Sequence, residues 1–242
     1  MRLFSDKRAR VCFVAPCVFL FLSSCGVFQV ALNPGSVKLG QELRQAFERG
    51  DTTTFASLLD KVSEQSPNAK RPGYVFSYYL ETASSTGQAD MVKILLDRGA
   101  DFSHKGFPHG ATPLLLAAQG GYPDTVQVLI SHGASVQDTD YSGNTALMEA
   151  AKAGHIATIQ VLISAGANPN HKTADGMTAL SYAVQRKRHE AAYVLLKAGA
   201  DPNVSSRRNS LSGWRQATPL SFAQEYGDKR MIELLEKAGA KE

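Results

Sequence analysis

Cysteine is almost missing from this 242-residue chain. Cys12, Cys17 and Cys25 are all it has, and the 217 residues after Cys25 contain none. A disulfide framework, a cysteine-ligated zinc site and a thiol enzyme are thereby excluded from the body of the protein. Tryptophan occurs once, at Trp214. Excess charge is also scarce. The net +4 comes from 26 Lys+Arg against 22 Asp+Glu, and Arg2, Lys7, Arg8 and Arg10 against Asp6 put +3 of it into residues 1–24. The remainder, with 22 basic and 21 acidic side chains, is nearly neutral and gives little reason to expect nucleic-acid binding. Apolar content of 43% and charged content of 20% are ordinary for a globular protein and exclude collagen, coiled coil and wholesale disorder. The length allows one or two domains with a sizeable core.

What is present begins with a leader. Residues 1–10 are polar and basic, residues 11–22 (VCFVAPCVFLFL) are an uncharged apolar run, and Ser23, Ser24, Cys25 and Gly26 are small. That order is the order of a secretory signal peptide. The apolar run of 12 residues is too short to cross about 30 Å of hydrocarbon as a helix. Leu22-Ser23-Ser24-Cys25 resembles a bacterial lipobox. The resemblance implies a diacylglycerol on the Cys25 sulfur, cleavage after residue 24, and an acylated new amino terminus. Several acyl chains would anchor the protein stably where one would not. Two alternatives stay open. An ordinary cleaved leader would release a soluble protein, although no good A-x-A site stands nearby. An uncleaved anchor over residues 11–32 would reach spanning length, although Pro16, Ser23, Ser24 and Gln29 make it a poor span. Gly26, rather than Asp, follows the cysteine. By resemblance to enteric-type sorting, that points to the outer membrane rather than the inner.

The body repeats itself. Residues 111–143 (ATPLLLAAQGGYPDTVQVLISHGASVQDTDYSG) and 144–176 (NTALMEAAKAGHIATIQVLISAGANPNHKTADG) align without a gap. A third unit starts at Met177 and a fourth at Ala217; Gly-Ala pairs fall at 99, 133, 166, 199 and 239. Each threonine at 112, 145, 178 and 218 can cap a helix, with proline at N1 in two of the four. A glycine after each second helix supplies a left-handed C-cap. Leucine and valine at i, i+3 and i+4 give each helix one apolar stripe, and a lone unit cannot bury it, so neighbours must stack.

These units resemble ankyrin repeats. Thr112-Pro113-Leu114 and Thr218-Pro219-Leu220 match the family's helix start, and Thr-Ala-Leu stands at 145–147 and 178–180. Gly154-His155 matches its inter-helix turn, and residues 92–96, 126–130, 159–163 and 193–196 match its second helix. The implied fold is an all-α repeat solenoid of helix–turn–helix units joined by hairpin loops. Two weaker units lie upstream: Leu43, Ala46, Phe47, Gly50, Phe55, Leu58 and Leu59, then Tyr79, Leu80, Ala83, Gly87, Val92, Leu95 and Leu96. Residues 63–73, with Pro67 and Pro72, read as a loop in place of the hairpin between them. The expected organisation is a signal peptide over 1–24, a lipidated terminus and tether over 25–35, and about six repeats over 36–242. The first repeat is a divergent cap, and the last has a polar outer side of Glu225, Lys229, Arg230, Glu233 and Lys237. Two departures from the family stand out. Leu115, Met148, Ser181 and Ser221 replace the histidine that usually follows Thr-Pro-Leu. Lys187-Arg188 replaces Gly-His in the third unit, and a non-glycine in a left-handed conformation costs about 1–2 kcal/mol, so an irregular turn is expected there.

Nothing in the sequence points to catalysis. G-x-S-x-G, H-E-x-x-H and a phosphate-cradling glycine loop are all absent. Ser131-His132 are adjacent, but adjacency is not triad geometry. His104 and His109 share a loop with Asp101, too few ligands for a metal. No cofactor and no small-molecule substrate are expected. The ankyrin resemblance implies instead a concave face of hairpin tips and first helices that recognises a protein. The tips carry Phe107 and His109, then Asp140 and Tyr141, then His171 and Lys172. The fourth is enlarged by seven residues over 204–216 (VSSRRNSLSGWRQ), which include Arg207, Arg208, Trp214 and Arg215. Arg and Trp dominate binding hot spots, and Arg186, Lys187 and Arg188 lie close by in sequence. This stretch reads as a polar loop with its tryptophan folded back, as a contact for an acidic partner, or as a contact for anionic lipid headgroups. The expected function is a non-catalytic scaffold in a bacterial envelope. An immunity or inhibitor protein and a host-directed effector are the alternatives.

Overall fold

The computed structural model describes residues 34–65, 72–106, 109–210 and 213–241. The leader, Cys25 and all of the tether before residue 34 lie outside them. Twelve helices are found among the described residues, arranged as six pairs: α1 (Pro34–Arg49) with α2 (Thr52–Gln65), α3 (Pro72–Thr86) with α4 (Ala89–Asp97), α5 (Pro113–Gly120) with α6 (Pro123–Ser131), α7 (Ala146–Ala153) with α8 (Ile156–Ser164), α9 (Ala179–Gln185) with α10 (His189–Lys197), and α11 (Pro219–Glu225) with α12 (Lys229–Lys237). First helices α3, α5, α7, α9 and α11 pack in one row, and second helices α2, α4, α6, α8, α10 and α12 in another. No described helix is long and apolar enough to cross a membrane.

The local chemistry follows the sequence. Thr112, Thr145, Thr178 and Thr218 each cap a first helix, their side chains accepting from the amides of Leu115, Met148, Ser181 and Ser221. Each such cap is worth about 1 kcal/mol. Ala117, Ala118, Ala150, Ala151 and Ala183 are fully buried where the first helices meet. Leu95, Leu129, Leu162, Leu195 and Leu235 form the equivalent stripe of the second helices. Where the family histidine is missing, Leu115 and Met148 are buried apolar contacts, while Ser181 and Ser221 hydrogen-bond the hydroxyl or carbonyl of their own capping threonine.

A polar ladder along the repeats was not anticipated from the sequence. Gln137, Asn170 and Asn203 donate their side-chain amides to the carbonyls of Gly166, Gly199 and Gly239 at 2.9, 2.9 and 3.1 Å. Asn170 and Asn203 also accept from the amides of Asp201 and Lys241 at 2.8 Å. Carbonyls left over at one helix end are thus satisfied by the preceding repeat.

The first pair is joined to the second through aromatic packing. Phe47, Phe55 and Tyr79 have ring centroids 5.0–5.5 Å apart, and burial pushes the Tyr79 phenol up to about 12. Arg98 adds a two-pronged ion pair to Asp60 at 2.8 and 3.2 Å. Of the residues 63–73 expected as a loop, the first three belong to α2, which continues to Gln65, and the last two to α3, which starts at Pro72. Proline at a first helical position supplies the right φ and lacks only an amide that would have no partner there.

Two further readings are corrected. The turn after α9 is regular: Lys187 takes the left-handed conformation with φ 55°, and Arg188 donates to the Ala183 carbonyl at 2.8 Å. The enlarged fourth tip is not an irregular loop. It contains a two-stranded antiparallel hairpin, β1 (Ser206–Ser210) and β2 (Gly213–Ala217).

Candidate protein-binding face

The hairpins between units project beside the N-termini of the first helices, and backbone bonds link the second to the first and the fourth to the third. The Tyr141 amide donates to the His109 carbonyl at 3.0 Å, and the Arg207 amide to the Asp175 carbonyl at 2.7 Å. Within the second tip, Asp140 Oδ1 accepts from the Ser142 and Asn144 amides at 2.8 Å each. Tyr141 therefore sits on a fixed turn. Its ring lies against Gly110, where a Cβ would fall 2.6 Å from it. The Lys105 ammonium is 5.9 Å from the ring centroid and donates to the Thr139 carbonyl at 2.7 Å. Even so, 67% of Tyr141 is exposed. A rigid, outward aromatic with two torsions is a low-entropy contact for a partner.

Behind the tips, the first-helix face carries a polar network. Glu149 is 8% exposed, at a position that is Leu116 in the unit before and Tyr182 in the unit after. Lys152 Nζ lies 3.5 Å from its carboxylate and 5.8 Å from the centroid of Tyr182. The Tyr182 hydroxyl donates to Asn144 Oδ1 at 2.9 Å, and Asn144 Nδ2 donates to Asp140 Oδ2 at 3.0 Å. Burial, with the Glu149, Asp140 and Asp175 carboxylates, pushes the Tyr182 phenol up, so it stays a donor at neutral pH. A charged residue in an otherwise apolar helix row was the sequence signal for this network. Likewise, the glutamine and asparagines of the ladder stand four residues after Gly133, Gly166 and Gly199.

The predicted contact residues fall in several places. His109 and Lys172 are exposed beside the tips. His171 is turned inward, with Nε2 3.2 Å from the Gly143 carbonyl, and the outermost residues of that tip are Ala174 and Asp175. Phe107 lies outside the described residues. Arg207 is exposed on β1, and the strand register sets Arg208 opposite Arg215 and Asn209 opposite Trp214. Arg186 is exposed at the C-cap of α9. The basic residues over 186–215 therefore do not form one patch. The seven residues of α9, about 10 Å of helix, separate the turn at 186–188 from the hairpin. At that turn Arg188 packs on Gly154, where a Cβ would be 2.9 Å from Arg188 Cδ. A shallow groove of about 500 Å³ lies on the other side, between α10 and α12, lined by His189, Glu190, Tyr193, Arg230 and Glu233 among others. Its mixed charges select no ligand.

His155, His189 and His104 make contacts within the fold. His155 Nε2 is 3.1 Å from the Gln119 carbonyl in the preceding turn. His189 Nε2 is 2.9 Å from both Asp228 carboxylate oxygens. Partial burial pushes the Asp228 carboxyl up, but bonds from His189 and the Met231 amide outweigh it and the net shift is down. His104 Nε2 lies 3.6 Å from Glu81, a carboxyl raised by burial. No group of three or more possible metal ligands occurs among the described residues.

Ser131, His132 and Asp97 do come together. His132 Nδ1 is 3.3 Å from Ser131 Oγ, and Nε2 is 3.1 Å from Asp97. Nδ1 is also 2.8 Å from the Val128 carbonyl, and Ser131 Oγ donates to that same carbonyl at 2.8 Å. Both ring nitrogens thus face acceptors. The Val128 carbonyl first, then Asp97, hold the imidazole pKa up. A ring that donates at both nitrogens has no lone pair to take the serine proton, so this is not an activated nucleophile.

Comparison with known proteins agrees with the repeat geometry. A family model described as ankyrin repeats matches in three copies, over residues 43–140, 80–173 and 136–206. The chain is 32% identical over 99 residues to the B-cell lymphoma 3 protein homolog of Mus musculus, covering 41% of this chain and 22% of that protein. It is 41% identical over 64 residues to the glycerophosphocholine phosphodiesterase gde1 of Schizosaccharomyces pombe, covering 26% and 6%. It is 40% identical over 65 residues to human protein phosphatase 1 regulatory subunit 27, covering 27% and 42%. In each case the match spans less than half of the relative's length. The chain belongs to the ankyrin-repeat family, whose stacked units make a protein-binding scaffold.

Proposed function

We propose that this chain is an exported, lipid-anchored scaffold of a bacterial cell envelope, holding a partner protein on its hairpin tips and first helices without chemistry of its own. One observation carries the binding half: Tyr141, 67% exposed on a tip fixed by the Asp140 turn and by the His109 carbonyl. Exposed His109, Lys172 and Arg207 stand on the same row of tips. The name of one relative, a phosphatase regulatory subunit, fits a binding role. The anchoring half rests on the basic segment, apolar run and lipobox-like residues ending at Cys25. Gly26 after the cysteine favours the outer membrane, with the repeats in the periplasm.

Metabolic labelling with a fatty-acid analogue tests the anchor. Label should enter the wild-type protein and be lost in Cys25→Ala. A released, unlabelled wild-type protein would contradict it.

A further inference from the structure

Two of the tips bond to the tip before them in the same sense: the Tyr141 amide donates to the His109 carbonyl and the Arg207 amide to the Asp175 carbonyl. The Arg207 amide therefore points away from β2. In an antiparallel pair this makes Arg207 and Gln216 a non-hydrogen-bonded pair, and alternation extends the same status to Asn209 and Trp214. The N–H and C=O groups of Trp214 and Gln216 consequently face away from β1. No described strand pairs with that edge; the only sheet among the described residues has the order β1-β2. The edge is held in place at its base, where Ser206 is 2% and Val204 5% exposed and Ser206 Oγ donates to the Ala217 carbonyl at 3.2 Å.

We propose that the outer edge of β2, Gly213–Ala217, is a docking strand that an extended, acidic segment of a partner protein joins as a third strand. This rests on the protein-binding reading above and names the partner's chemistry. Main-chain bonding to an open edge supplies affinity without requiring one sequence. Charge supplies selection: residues 204–216 contain Arg207, Arg208 and Arg215 and no Asp or Glu. Charge also disfavours the obvious competitor, a second copy of this chain pairing β2 with β2, because the Arg215 of each copy would be brought onto the same short ribbon, with Arg207 and Arg208 on the strand behind it.

The test uses the full chain in detergent and a fluorescent peptide of alternating glutamate and valine, read by anisotropy. The comparison variant is Gln216→Pro, which removes one outward N–H while sparing the bonds between β1 and β2. The peptide should bind the wild type saturably and slow hydrogen exchange at the Trp214 and Gln216 amides. The Gln216→Pro variant should bind about tenfold more weakly, and a lysine–valine peptide should not bind. Equal affinity for wild type and Gln216→Pro would overturn the proposal, since contact would then be by charge alone. No binding to the wild type, or a peptide-free dimer that Gln216→Pro dissociates, would also overturn it. Unchanged affinity of the proline variant counts against the edge only; the scaffold reading fails separately, through Tyr141.

Discussion

Lys187 keeps its side chain in a glycine position because Asp228 stands opposite it in the next unit. At the equivalent turns, Tyr122, His155 and Arg188 press on Gly87, Gly121 and Gly154, where a Cβ would lie 2.4–2.9 Å from the neighbouring side chain. Asp228 is shorter and turned towards His189, so residue 187 is left room. Lys187 instead places its ammonium 5.8 Å from the Tyr226 ring centroid.

Only backbone strain therefore remains at 187, and the two turns should respond oppositely. Lys187→Gly relieves about 1–2 kcal/mol but frees the unfolded chain by about 0.4–1 kcal/mol. A net gain between about 0 and 1.6 kcal/mol is expected from those two terms. Gly154→Ala meets both the left-handed penalty, at φ 88°, and Arg188. It should lose about 1–2 kcal/mol. Urea denaturation of both variants, with the slope checked for constancy, measures the difference.

Stability should also change with pH through His132. Its folded pKa lies above the ordinary 6.5, so the folded state binds the proton more tightly. The contribution is complete below about 6.5 and is lost as pH rises through the raised value. Asp97, held down first by Lys93 and then by His132, stays charged throughout that window. The denaturation midpoint of wild type minus that of His132→Gln should therefore fall on going from mildly acidic to mildly alkaline solution. The fall should shrink with added salt, because Asp97 is 45% exposed. A difference independent of pH would disprove the pairing.

The polar ladder predicts a local cost. Asn170→Ala removes a donor to Gly199 and an acceptor for Asp201. At about 1 kcal/mol per bond, and with water free to replace partners at exposed sites, the loss should be about 1–2 kcal/mol. Asn170→Asp keeps the acceptor and should recover part of it. Hydrogen exchange at the Asp201 amide should rise in Asn170→Ala and not in Asn170→Asp.

The helices were legible because their signals are local. Thr112, Thr145, Thr178 and Thr218 cap where a Thr-Pro-Leu or Thr-Ala-Leu start says they should, and the glycines at 99, 133, 166, 199 and 239 all have positive φ. What was not legible is set between units. Residues 206–217 have no alternation of apolar and polar residues to announce strands; the ribbon is tied to the preceding tip through the Asp175 carbonyl, more than thirty residues away in sequence. Arg186 and Arg207 look like one basic cluster until α9 is laid between them. His132 meets Asp97 across 35 positions. Only stacking brings such pairs together.

The central claim is that the hairpin-tip face holds a partner protein. A photo-crosslinking amino acid placed at Tyr141, and separately at exposed Gln160 on α8, tests it most directly in intact cells. A discrete adduct at 141, absent at 160, and lost when Lys172→Ala and Arg207→Ala are added without a change in Tm, is the predicted result. No adduct at 141, or equal adducts at both positions, would contradict the account.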